Sequence, residues 1–173
     1  MNWIKSIGLG IAFLTITQIA VAQKAELLSF IPDKNKEAFV ESEPALLNTI
    51  EFLDNTSLLE QEGKRKKQQA LLMGWLENSP TVTVTIHSFL LDLTKKNPDF
   101  ILTYLGGWAK YSIQHEYSKD NVKCGIAGVK SILTYYKKYA PSKENGVIKN
   151  KDIEKLIELE KKGLLEKWVQ DRM

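Results

Sequence analysis

Four residues carry side chains that commonly bind metals or act in catalysis, namely His87, His115, Glu116 and Cys124. Zinc sites are usually marked by closely spaced pairs of ligands, because such spacing places two donors on one side of a turn. His115 and Glu116 are adjacent, so on a helix their side chains would point about 100° apart. We therefore predict no metal site, no cofactor and no catalytic residue. A metal-assisted hydrolase built from these four residues is the alternative.

Sequence patterns of other catalytic classes are also absent. The chain contains neither a Gly-x-Ser-x-Gly elbow nor a glycine-rich phosphate loop. Cys124 is the only cysteine and lies in an apolar pattern, which indicates a buried, inert thiol rather than a nucleophile. Most acidic residues stand within four positions of a lysine, as Glu158 and Lys162 do, and such pairs are typical of a helix surface. The missing patterns favour a protein without catalytic activity.

An aromatic segment with two consecutive glycines, Gly106 and Gly107, is the most distinctive part of the sequence. Each glycine inside a helix costs about 1 kcal/mol relative to alanine, so another interaction must offset that cost. One interpretation is the close approach of a second helix, with Gly125 and Gly128 supplying the matching surface. The functional interpretation is an aromatic-rimmed groove that binds a ligand or peptide, formed by Trp75, Tyr104, Gly107, Trp108 and Tyr111. Aromatic stripes at helical spacing are usually core, which favours packing over the groove.

These residues have to be positioned by helices, because helical hydrophobic spacing recurs along the chain. Helix starts are predicted at Pro44, at the capping box of residues 57–60, at about Thr85, at residues 97–99, at Asp120 and at Asn150. A short final turn carries Leu164, Leu165, Trp168 and Val169. The sequence therefore predicts an all-α fold, a single compact domain of about six or seven helices packed as antiparallel hairpins.

Residues 81–86 are the one stretch with strand-like alternation. Threonines alternate there with valine and isoleucine, which is the period of a half-buried strand. No other segment offers a comparable partner, and a single strand cannot satisfy its own backbone hydrogen bonds. We therefore interpret the stretch as an extended link that leads into a helix.

The charge distribution does not favour a nucleic-acid partner. The net charge is +3, from 24 basic and 21 acidic residues, which is too small to create a general field for polyanions. The one basic cluster, Lys64-Arg65-Lys66-Lys67, is flanked by polar and acidic residues. Because charge runs at such spacing usually face water, we interpret this cluster as a solvated helical face.

The N-terminus has the three parts of a secretory signal peptide. Lys5 supplies a positive charge, residues 7–14 form an apolar run, and Ala20-Val21-Ala22 matches the small-residue cleavage pattern. The uncharged run is shorter than the ~20 residues that a spanning helix needs, which favours cleavage over retention. We predict a signal peptide at residues 1–22, a partly ordered lead-in at residues 23–43 and a helical domain at residues 44–173.

The resulting prediction is a protein exported to a periplasm or secreted. Because catalytic patterns are missing, we expect a non-catalytic helical interaction or structural module. Its partner would be an unknown protein or peptide. No nucleic-acid partner is expected, and no stable membrane anchor after cleavage.

Overall fold

The computed structural model describes residues 26–33 and 35–173, and the predicted signal peptide at residues 1–22 lies outside them. The all-α prediction is confirmed, since the described residues form seven α-helices and no strand. None of the described helices is long and apolar enough to cross a membrane. The helices are α1 (Lys36–Asn55), α2 (Glu62–Asn78), α3 (Leu90–Thr94), α4 (Phe100–Gln114), α5 (Asn121–Tyr139), α6 (Lys151–Lys161) and α7 (Leu165–Gln170).

The antiparallel hairpin of α4 and α5 forms the centre of the molecule. Helices α1 and α2 pack against one side of α4, whereas α6 and α7 pack against α5. One apolar cluster fills the space between α1 and α2, around Leu46 and Trp75. A larger cluster joins α3 to α7 through α4 and α5. Helix α4 is thus covered on more than one side, which explains its high content of buried residues.

Two predicted helix starts are confirmed by their hydrogen bonds. At the start of α5, the Asp120 carboxylate accepts from the amide of Lys123 at 3.0 Å. At the start of α6, the Asn150 side chain accepts from the amide of Asp152 at 2.9 Å. In both positions a short polar side chain satisfies an amide that has no partner within the helix.

The first helix begins at Lys36, so the prediction that Pro44 starts it is wrong. Asn35 caps the helix by accepting from the amide of Ala38 at 2.7 Å, and Pro44 lies inside. Burial of Phe39 in the first half stabilises this longer helix and offsets the backbone hydrogen bond that proline cannot donate. The preceding residues 26–33 also contact the domain, since Leu28 is buried and its amide donates to Thr49 Oγ1 at 2.8 Å.

The second helix begins at Glu62 instead of at the capping box of residues 57–60. Only half of that box forms, because Glu60 accepts from the Ser57 amide at 3.4 Å while Gln61 takes a left-handed conformation. The amide of Leu58 donates to Asn145 O at 3.2 Å, a contact between segments far apart in sequence. This contact keeps the residues around Leu58 in turns, so the helix begins only at Glu62.

The expected helix from Thr85 is also shorter than predicted. It begins at Leu90 and has only five residues, and Ile86 lies before it and is exposed. Residues 97–99 are the next predicted helix start. The Asn97 side chain does not cap α4 there. It accepts from the Ile148 amide at 2.8 Å and donates to Ile148 O at 2.7 Å, which ties two loops together.

Candidate functional site

The four residues considered for metal or nucleophilic chemistry do not form a common site. His115 is exposed at the end of α4, where its ring stacks on Tyr111 at 3.9 Å, and Glu116 follows it. Cys124 is buried at the start of α5, and burial raises the pKa of its thiol above the ordinary value. His87 lies in the segment before α3 and stacks on Phe89. Within residues 26–33 and 35–173, no three His, Cys, Asp or Glu side chains are placed to hold a metal ion.

The five residues of the predicted aromatic groove are mostly core residues. Trp75, Tyr104, Gly107 and Trp108 are buried, and only Tyr111 is partly exposed. Trp75 packs on Phe39 of α1 and belongs to a different cluster from Tyr104 and Trp108. The five residues therefore do not surround an open groove, since α4 is covered by other helices along its aromatic stripe.

The glycine pair is explained by helix packing on two sides of α4. A methyl group on Gly107 would lie 2.8 Å from Ser131 Cβ and 3.0 Å from Ala127 O of α5. A methyl group on Gly106 would lie 3.2 Å from Ile50 of α1. The partner glycine on α5 is Gly128, which receives the ring of Tyr104. Small residues thus allow two helices to approach α4 closely.

A different groove, which we call the α2 groove, opens between the C-terminal half of α2 and the segment that follows it. Its volume is about 310 Å³. Met73 and Ile86 at its rim are exposed large apolar side chains. Its lining is apolar except for one carboxylate and two hydroxyl side chains, and comprises Met73, Leu76, Glu77, Ser79, Val82, Thr83, Val84, Ile86 and Leu105.

The backbone beside the α2 groove has few hydrogen-bond partners. Residues 82–87 belong to neither a helix nor a strand. Among the described residues, no acceptor lies within hydrogen-bonding distance of the amides of residues 83–87. One carbonyl is used by the core, since Trp108 Nε1 donates to Thr83 O at 3.0 Å and fixes the segment onto α4. The segment is therefore held in place while most of its backbone groups stay available.

The sequence signal for the α2 groove was the alternating run at residues 81–86, interpreted only as a link. That run has the β-branched composition of a strand without a partner strand in the chain. Met73, Leu76 and Leu105 complete the groove, and no local pattern distinguishes them from core residues. The chain matches no protein-family model, no curated protein and no solved structure. The geometry of the groove is therefore the basis for a functional assignment.

Proposed function

We propose that the protein is an exported, non-catalytic helical interaction module that binds an extended apolar peptide. The observation that carries the proposal is an extended segment beside an apolar groove, in which the amides of residues 83–87 have no hydrogen-bond acceptor among the described residues. A peptide that lies along one edge of such a segment can accept from every second of these amides, while pockets for alternate side chains provide selectivity. The partner class expected from the sequence, a protein or peptide, fits this mode.

The lining of the α2 groove supports a specific peptide chemistry. Leu76, Val84 and Ile86 present aliphatic surface, which favours aliphatic side chains at alternate positions of the peptide. Glu77 is the one acidic side chain in the described lining of the groove, so a basic residue beside it would gain from charge pairing. We therefore expect a peptide with alternating aliphatic residues and a Lys or Arg near one end.

Binding of synthetic peptides tests this function. Seven-residue peptides that alternate aliphatic and threonine residues, with one terminal lysine, should bind with an affinity measurable by fluorescence anisotropy. Peptides with proline at the centre should bind about tenfold more weakly, because proline has no amide donor for the added strand. Hydrogen exchange should show new protection of every second amide of residues 83–87 when the peptide is bound, because successive amides of an extended segment point to opposite sides.

Two aspartate substitutions provide the matched comparison. Ile86→Asp places a charge in the apolar groove and should weaken peptide binding by about tenfold or more. Leu91→Asp is the control, because Leu91 is 72% exposed against 61% for Ile86 but does not line the groove. Equal losses of affinity in both variants, or equal binding of the proline peptides, would contradict the proposal.

Export of the protein rests on the pattern at residues 1–22 and has its own test. In a host with a general secretion pathway, the purified product is expected to begin at Gln23, as intact-mass measurement can show. Ala20→Leu should block this cleavage, because only small side chains fit at that position before the cut. A full-length wild-type product retained in the membrane would contradict the cleavage.

A further inference from the structure

A second cleft, which we call the lysine cleft, lies where the end of α1 meets α4 and α5. Its volume is about 280 Å³, and it is lined almost entirely by polar and charged side chains. Lys130, Thr134 and Lys138 are four residues apart on α5 and therefore share one face of that helix. The lining comprises Asp54, Asn55, Lys110, Lys130, Ser131, Thr134, Tyr135 and Lys138.

Positive charge is in excess in this cleft. Three ammonium groups line it, against the single carboxyl group of Asp54. Lys130 Nζ is 2.8 Å from Glu166 Oε1, and Lys138 donates to the neutral Asn55 Oδ1 at 2.8 Å. Lys110 has no ion pair within the described part of the chain. Among the described residues, Lys110 and Lys138 therefore form no ion pair, and the one carboxyl group that lines the cleft with them is that of Asp54.

We propose that the lysine cleft binds a small ligand through a divalent tetrahedral oxyanion, a sulfate or a phosphate group. Lysine ammonium groups bind such anions as point charges, and their three donors adapt to several oxygens. The Thr134 hydroxyl can donate a further hydrogen bond from the same face of α5. A cleft of about 280 Å³ also leaves room for the rest of a small molecule.

Asp54 makes this binding sensitive to pH. Burial raises the pKa of its carboxyl group to about 6, although the positive charges of Lys110, Arg65 and Lys138 lower it. Glu51 on α1 raises the pKa further, and Lys130 and the Tyr135 hydroxyl are the other titratable groups that line the cleft. A bound dianion favours the neutral carboxyl, because it repels the carboxylate. Binding of the dianion should therefore be accompanied by protonation of the Asp54 carboxylate above pH 6. The affinity for the dianion should increase as the pH falls through about 6.

Sulfate is the appropriate probe, because its charge does not change across this pH range. Calorimetric titration of the purified protein with sodium sulfate, at constant ionic strength set by chloride, should give saturable binding. The affinity for sulfate at pH 5.5 should exceed the affinity at pH 7.5 by about fivefold or more. Asp54→Asn should remove this pH dependence and raise the affinity at pH 7.5. The absence of saturable binding by sulfate would overturn the proposal.

Lysine variants locate the site. Lys110→Gln and Lys138→Gln should each weaken sulfate binding by about fivefold or more, because each removes one ammonium group from the cleft. Lys67→Gln is the matched control, since it makes the same charge change on an exposed part of α2. Equal weakening by Lys67→Gln would indicate general charge attraction and would overturn the assignment to the cleft. Thermal unfolding of each variant verifies that the fold is retained.

Two further ligands identify the source of the oxyanion. Phosphoserine is a small soluble phosphate monoester, and it should compete with sulfate for the cleft. Vesicles of phosphatidic acid and phosphatidylcholine test a lipid phosphomonoester headgroup in a sedimentation assay. Competition by phosphoserine with no sedimentation supports a soluble ligand. Sedimentation with phosphatidic acid that Lys138→Gln abolishes, without competition by phosphoserine, would overturn a small-ligand site.

Discussion

Replacing Arg65 with methionine is expected to lower the free energy of unfolding by about 3 kcal/mol. The side chain of Arg65 is buried at 4% exposure. Its guanidinium donates to Leu53 O at 2.8 Å, to Thr56 O at 2.7 Å and to Thr56 Oγ1 at 2.6 Å. Methionine fills a similar apolar volume but donates no hydrogen bond. Leu53 O and Thr56 Oγ1 would then lose this donor, whereas Thr56 O would still accept from Tyr135 Oη at 2.8 Å, and a buried oxygen without a donor is costly.

Urea denaturation followed by circular dichroism measures this loss. Lys66→Met is the matched control, because Lys66 is the neighbouring cation on α2 but is exposed and pairs only with Glu62. Exposed substitutions of this kind usually change stability by less than about 0.5 kcal/mol. Equal effects in the two variants would mean that the buried hydrogen bonds of Arg65 do not stabilise the end of α1.

Gly107→Ala is expected to destabilise the protein by about 1–3 kcal/mol. An added methyl group would lie 2.8 Å from Ser131 Cβ and 3.0 Å from Ala127 O, distances at which α4 and α5 must separate. The helix propensity of alanine acts in the opposite direction by up to about 1 kcal/mol. Overpacking should prevail, because Ala127 O belongs to the backbone of α5 and cannot rotate away.

Gly63→Ala is the control for this prediction. Gly63 lies in α2, and a methyl group there would meet no other atom within 4 Å. Helix propensity then acts alone, so Gly63→Ala should stabilise the protein by up to about 1 kcal/mol. Chemical denaturation distinguishes the two positions by the sign of the change. A stabilised Gly107→Ala variant would refute close packing between α4 and α5.

Features of the fold with a local cause could be predicted from the sequence. The starts of α5 and α6 depend on Asp120 and Asn150, each of which accepts from an amide two or three residues away. The end of α6 depends on Gly163, whose backbone has a φ of 70°, a conformation that glycine adopts easily. Such signals lie within one helical turn, so the sequence alone contains them.

Features with a distant cause could not be predicted. Asn97 has the sequence of a helix cap, yet it binds Ile148, which is 51 residues away. Arg65 lies in a run of cations that is typical of a solvated face, yet the end of α1 supplies its acceptors. Sequence spacing shows the face on which a side chain lies but not the element that covers it. The prediction of a solvated basic cluster is therefore wrong at Arg65 and agrees with the structure at Lys64, Lys66 and Lys67.

Only one wall of each cleft was visible in the sequence. The alternating run at residues 81–86 and the spacing of Lys130, Thr134 and Lys138 are local patterns that mark one wall of each. The opposite walls come from Leu105 and Met73 in the α2 groove and from Asp54 in the lysine cleft. Those walls depend on tertiary packing, so neither cleft could be predicted from the sequence alone.

The short connection between α4 and α5 has a consequence for the order of folding. Only six residues separate Gln114 from Asn121, so closing this loop costs little chain entropy. The contacts of Gly107 with Ser131 and of Gly128 with Tyr104 each span 24 residues, fewer than the contacts between α1 and α4, and shorter spans favour faster folding. The hairpin should thus act as the folding nucleus onto which α1, α2 and α7 condense. Tight packing between its two helices would govern the rate at which the chain folds, whereas the contacts of α1 would govern the rate at which it unfolds.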